Sequence, residues 1–150
     1  KVVVLLTDIF GIFTNSLVLA DGSAYNCYLT VIPDLFQDDQ MKLSDRQNGK
    51  PAIVDPIVES TIQYVRDTFG VKKIGAVGYC FGGKIDSIFT TKLLHESEEI
   101  LVKIGQVWQI NLFGSVSHGF AVRADLSNTK QKWTEKGASY QAVIWLDQYL

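Results

Sequence analysis

The chain has 150 residues, of which 47% are hydrophobic and 20% charged, the balance of an ordinary soluble globular domain rather than a disordered, collagen-like or disulfide-bound one. A chain this long can bury roughly 68–70% of its unfolded surface, so neither disulfides nor a structural metal is needed to hold a core together. With 14 Lys and Arg against 16 Asp and Glu there is no basic field for nucleic acid, and the longest aliphatic run, Val2 to Leu6, is far short of the roughly 20 residues of a membrane span.

The only cysteines are Cys27 and Cys80, which argues against a disulfide framework and points to a reducing cytoplasm. The sequence opens without Met, inside strand-like residues, so residues are expected ahead of Lys1. Val2 to Thr7 reads as a strand buried on both faces, as in a parallel sheet. Thr7-Asp8-Ile9-Phe10-Gly11 leaves the sheet, and Asn15 to Tyr25 follows as a weak helix. Tyr28 to Ile32 is a second strand, stopped by Pro33-Asp34, and Asp34 to Lys50 is a polar loop. The next helix has Asp55 as cap, Pro56 at its first position and Gly70 as stop. Its apolar stripe is Ile57, Val58, Thr61, Ile62, Tyr64, Val65 and Phe69.

Lys73 to Tyr79 reads as a third strand and Phe81 to Lys92 as the helix after it. Glu96 to Gly105 is a charged amphipathic helix, Gln106 to Phe113 a strand and Gly114 to Gly119 a loop. A closing helix covers Glu135 to Leu150, with Ala142, Val143, Trp145, Leu146 and Tyr149 on one buried face. Strands alternating with helices imply a single α/β domain over residues 1–150 with a parallel sheet. Such sheets bind ligands beyond the carboxyl ends of their strands, which selects the loops Thr7 to Gly11, Tyr79 to Gly83 and Gly114 to Gly119.

Between a strand and a helix, Gly78-Tyr79-Cys80-Phe81-Gly82-Gly83 has the form of a nucleophile elbow with Cys in place of Ser. The glycines are needed because a Cβ beside so sharp a turn would collide with neighbouring backbone. The first turn of the helix favours a thiolate at Cys80, and the Phe81 N–H is the expected first oxyanion donor, with a second near Ile9. The bland alternative is a buried structural Cys. Cys27 is expected only to pack, since parallel pairing separates it from Cys80 by a strand length of roughly 17–20 Å.

Gly78 to Lys84 also fits the first seven positions of a phosphate-binding loop, but Ile85 replaces the Ser or Thr that would hold Mg²⁺. Of the two histidines, His95 lies in a charged stretch suited to solvent. His118, in Gly114-Ser115-Val116-Ser117-His118-Gly119, lies at the carboxyl edge from which Cys80 emerges and is the candidate general base.

These motifs give a resemblance. LLTDIFGI, YLTVIPDLF, VDPIVESTIQYVRDTFGVKKIGAVGYCFGGK, QINLFGSVSHGFAVRAD and QAVIWLDQYL are similar to the dienelactone hydrolase family, in its fungal branch. The resemblance implies an α/β-hydrolase, a three-layer sandwich on a mostly parallel central sheet, incomplete in this chain. It implies Cys80 as nucleophile and His118 as base and then acid, with Ile9 and Phe81 amides as oxyanion donors. Asp8 falls at the family's acidic position beside the oxyanion loop. Arg123 resembles a position that meets a substrate carboxylate, the alternative being a solvated surface charge.

The implied activity is cleavage of a small ester or lactone through an acyl-enzyme, by a cofactor-free monomer or homodimer. A non-catalytic binding protein on the same fold is the alternative, with a phosphate-loop nucleotide binder behind it. The departure from the family is at Lys92, which runs almost directly into His95, leaving no counterpart for two strands and the acid of the triad. The sequence thus reads as abridged, by omission or by deletion. Omission predicts a Cα–Cα step well above 3.8 Å near Lys92 to His95.

Overall fold

The computed structural model describes residues 1–37, 51–83, 98–99, 101–103, 105, 107–114 and 116–150. Three parallel strands form the sheet: β1 (Val2–Leu6), β2 (Leu29–Val31) and β3 (Ile74–Gly78), in the order β2-β1-β3. Val2 pairs with Leu29 on one side and Ile74 on the other, so β1 is the central strand. Its unbroken apolar run has this cause, since successive side chains point to opposite faces and both faces are covered.

Helix α1 (Thr14–Tyr25) lies between β1 and β2, and helix α2 (Pro51–Phe69) precedes β3. Val2 and Val4 pack with Val65 of α2, while Val3 packs with Tyr28 and Leu146 on the opposite face. Leu146 belongs to the closing helix α4 (Thr129–Tyr149), which follows a single turn, α3 (Phe120–Arg123). The alternation along one strand thus joins three layers, with α2 and α4 on opposite faces of the sheet. Burying a side chain such as Val65 contributes about 1.5–3 kcal/mol.

Several expectations need correction. Helix α2 begins at Pro51, so Asp55-Pro56 lies within it, and Tyr64 and Phe69 of the expected stripe are exposed while Val54 and Val65 are buried. Helix α4 begins at Thr129, because Asn128 Oδ1 accepts the N–H groups of Lys130 and Gln131 and caps it. Of its expected buried face only Leu146 is buried, and Tyr149 is exposed. Cys27 is exposed at φ +64° in the turn after α1 and does not pack inside.

The expected strand Gln106 to Phe113 is not formed over 107–113, and Val107 and Leu112 are exposed. A strand needs a neighbour to accept its backbone groups, and among the described residues this segment has none. The helix expected at Glu96 to Gly105 is helical at 98–99 and 101–103. Most of the Asp34 to Lys50 loop, the Phe81 to Lys92 helix beyond Gly83, His95 and the Lys92 to His95 connection fall outside the described residues.

Candidate active site

The end of β3 is held hard against the end of β1. Tyr79 N–H donates to the Leu6 carbonyl at 3.0 Å, and Gly82 N–H to the carbonyls of Thr7 and Tyr79, both at 3.0 Å. A Cβ on Gly82 would lie 2.3 Å from the Leu6 carbonyl oxygen, so no other residue fits there. Between these anchors the chain turns through a 3₁₀ segment, Cys80–Gly83, and Cys80 takes φ +54°. A residue with a Cβ occupies this left-handed region only where its surroundings impose it, and here two fixed backbones do. Because the Gly82 amide is already engaged, one of the donors that a phosphate-binding loop would present is not free.

Facing the turn is the loop before α3. His118 is exposed, and its Nε2 lies 2.9 Å from Cys80 Sγ, across 38 residues of sequence. The contact suits a thiol donating to the imidazole or an imidazolium donating to a thiolate, so the proton can reside on either atom. Among the described residues His118 has no other hydrogen-bond partner, and the acid of a triad is not found there.

Asp8 and Arg123 form the second part of the site. The Asp8 side chain is fully buried, its Oδ1 accepts the Phe10 N–H at 3.0 Å, and its Oδ2 is ion-paired with Arg123 Nη1. The guanidinium also covers the Phe10 ring at 4.5 Å from the centroid, a cation–π arrangement. Burial pushes the Arg123 pKa below its ordinary value. Arg123 is thus no solvated surface charge; it is held by a carboxylate 115 residues earlier.

The sequence-predicted residues fall into two pairs, Cys80 with His118 and Asp8 with Arg123. Ile9 lies on the same loop as Asp8, and its N–H makes no hydrogen bond among the described residues. Phe81 follows Cys80 in the 3₁₀ segment. Tyr79, just before Cys80, is pushed up to about 12 by burial, with the negative charge of Glu135 adding to the shift.

Three participants were missed in the sequence. Phe10 carries Arg123. Gly119, at φ +85°, leaves room for the guanidinium, since its Cβ would lie 2.6 Å from Arg123 Nη2. Asn15 bonds Val122 from the start of α1. The glycine directly after His118 was a readable signal; the other two are long-range contacts with no local pattern. Among the described residues no group of three His, Cys, Asp or Glu side chains is placed to hold a metal, and no helix is long and apolar enough to cross a membrane.

Residues 1–93 match the dienelactone hydrolase family. The hydrolase pyvD of Aspergillus violaceofuscus is 33% identical over 198 aligned positions, covering 99% of this chain and 81% of that protein. The hydrolase tropI of Talaromyces stipitatus is 34% identical over 206 positions, with the same coverage of each chain. Dienlactone hydrolase 2 of Gibberella moniliformis is 24% identical, covering 100% of this chain and 79% of its own length. Set against 150 residues, 198 aligned positions leave at least 48 positions of the Aspergillus protein without a counterpart here, in keeping with an abridged chain. No solved structure matches.

Proposed function

The chain belongs to the dienelactone hydrolase family of ester and lactone hydrolases, with an α/β-hydrolase fold, and from that premise we propose that it cleaves a small ester or lactone through a Cys80 acyl-enzyme. The observation that carries this reading is the 2.9 Å approach of His118 Nε2 to Cys80 Sγ on a turn held at φ +54°.

Cys80 Sγ, as the thiolate, attacks the substrate carbonyl carbon and forms the C–S bond. The carbonyl oxygen becomes an oxyanion, received by the Ile9 and Phe81 N–H groups. When the C–O bond breaks, the leaving oxygen takes the proton from the His118 imidazolium. His118 then removes a proton from water as it attacks the thioester, and the acid leaves with the thiolate restored. In a lactone the leaving oxygen stays joined to the acyl group through the carbon skeleton, so the second step releases a single hydroxy acid.

Asp8 precedes Ile9, and Arg123 ends the short helix that follows His118. A carboxylate on the substrate would compete with Asp8 for the Arg123 fork, which matches such a group in a bidentate way. A reducing cytoplasm suits the mechanism, because Cys80 and Cys27 are both free thiols.

The test is turnover of chromogenic short-chain esters and of a dienelactone. The wild-type chain hydrolyses at least one of them, and Cys80→Ala loses the activity while keeping its circular dichroism spectrum. Undiminished turnover by folded Cys80→Ala would reject Cys80 as nucleophile. A second reading, binding without catalysis, is favoured by the absence of a carboxylate partner for His118 among the described residues. Saturable substrate binding with no turnover would select it.

A further inference from the structure

We propose that Asn15 is a positioning residue for the His118–Cys80 couple, acting through α3. This rests on the hydrolase reading above. Asn15 is the second residue of α1, and its Nδ2 donates to the Val122 carbonyl at 2.7 Å, across 107 residues of sequence. That carbonyl needs an outside donor. Helix α3 ends at Arg123, and Ala124 has turned extended, so the last carbonyls of this short helix have no partner within it.

The two ends of this bond sit in α1 and α3, the helices that follow the Asp8 loop and the His118 loop. On one side, Asn15 is fixed by its neighbour Ser16, a buried residue whose Oγ donates to the Gly11 carbonyl at 3.1 Å, and Gly11 N–H donates to the Asp8 carbonyl at 3.0 Å. On the other side, Val122 N–H and Arg123 N–H both donate to the Gly119 carbonyl, at 3.0 and 2.8 Å, and Gly119 directly follows His118. Val122 is four residues from His118, with Gly119 in the left-handed region between them. A displacement of α3 at Val122 is therefore passed to the imidazole through one turn.

Asp8–Arg123 and Phe10–Arg123 also tie these segments, but both act through one long side chain, about which α3 can pivot. The Asn15 bond grips the α3 backbone itself and removes that pivot. Positioning of this kind is sensitive to small errors, because an imidazole displaced by about 1 Å loses much of its effect on the reacting atom.

The decisive variant is Asn15→Asp, which keeps shape and volume but turns an acceptor toward the Val122 carbonyl. Asn15→Gln, which keeps an amide donor, is the rescue, and Asn15→Ala guards against a variant that does not fold. Two readouts are taken on protein whose melting temperature has been measured: the pH profile of Cys80 alkylation by iodoacetamide, and kcat and KM on the ester that the wild-type chain hydrolyses. Asn15→Asp and Asn15→Ala should lower alkylation at pH 7 and kcat by about tenfold with KM within about twofold, and Asn15→Gln should recover most of both. A wild-type alkylation profile and kcat in folded Asn15→Asp or Asn15→Ala would overturn the assignment, as would a fall in melting temperature alone. Alkylation does not require turnover, so the hydrolase reading can fail in the Cys80→Ala assay while this result stands, and the reverse.

Discussion

Replacing Arg123 by Met removes the one cation that, among the described residues, pairs with a carboxylate closed to water. The Asp8 side chain is 0% exposed and that of Arg123 is 31% exposed. Breaking a buried ion pair by deleting one partner costs about 3–5 kcal/mol, because the other charge is left buried alone. The partly exposed guanidinium end admits solvent, which brings the expectation to about 2–3 kcal/mol. For a chain of this size that is a fall in Tm of about 4–12 °C. Urea denaturation of Arg123→Met at pH 7 measures the loss. The same experiment at pH 5 should give a smaller one, because acid can protonate the unpaired carboxyl. The double variant Asp8→Asn with Arg123→Met removes the stranded charge and should recover more than half of the loss, the Phe10 N–H keeping its acceptor. A single-variant loss under about 0.5 kcal/mol, or a double variant no better than the single one, would refute the buried-pair reasoning.

Two further outcomes follow from the geometry. Gly82→Ala places a Cβ 2.3 Å from the Leu6 carbonyl oxygen and 2.6 Å from its carbonyl carbon, and should cost about 3 kcal/mol and Cys80 reactivity together, read by urea denaturation and by alkylation. Tyr28→Phe removes the hydrogen bond that Tyr28 donates to Asp147 on α4 and should cost about 1–2 kcal/mol. Burial first, and then that bond, hold the Tyr28 phenol up to about 12 against an ordinary 10.0. The sign follows from the raised value: the stabilisation is complete below pH 10 and is lost as pH rises through 12. Denaturation midpoints across pH 9–12 should fall less steeply in Tyr28→Phe, leaving the share of Tyr79, whose phenol is raised to the same region.

What could be read from the sequence was local. The parallel strands were legible because β1 carries five consecutive apolar residues, a pattern that only two covered faces explain. The Cys80 turn was legible because a sharp bend after a strand needs glycine at set places, and the approach of His118 to it because His118 follows a later strand-like segment in a loop of small residues. Partners far apart in sequence were not legible. Asp8 and Arg123 were each singled out, but nothing in either segment tells that they neutralise one another. Asn15 and Phe10 have no signature at all, since any polar or aromatic residue near a helix start reads the same. The start of α4 is marked only by the Asn128 cap, because the apolar spacing of Ala142 to Tyr149 lies at its far end. The strand expected at Gln106 to Phe113 had suitable residues, but strand formation depends on a free neighbouring edge, which no residue-level pattern records.

The most direct measurement of the central claim is mass spectrometry of the enzyme quenched in acid during turnover of a slow chromogenic ester. A thioester through Cys80 predicts one acyl increment on the peptide containing Gly78 to Gly83, absent from Cys80→Ala and released by hydroxylamine. Turnover with that peptide unmodified throughout, or the same increment on the Cys80→Ala protein, would contradict it.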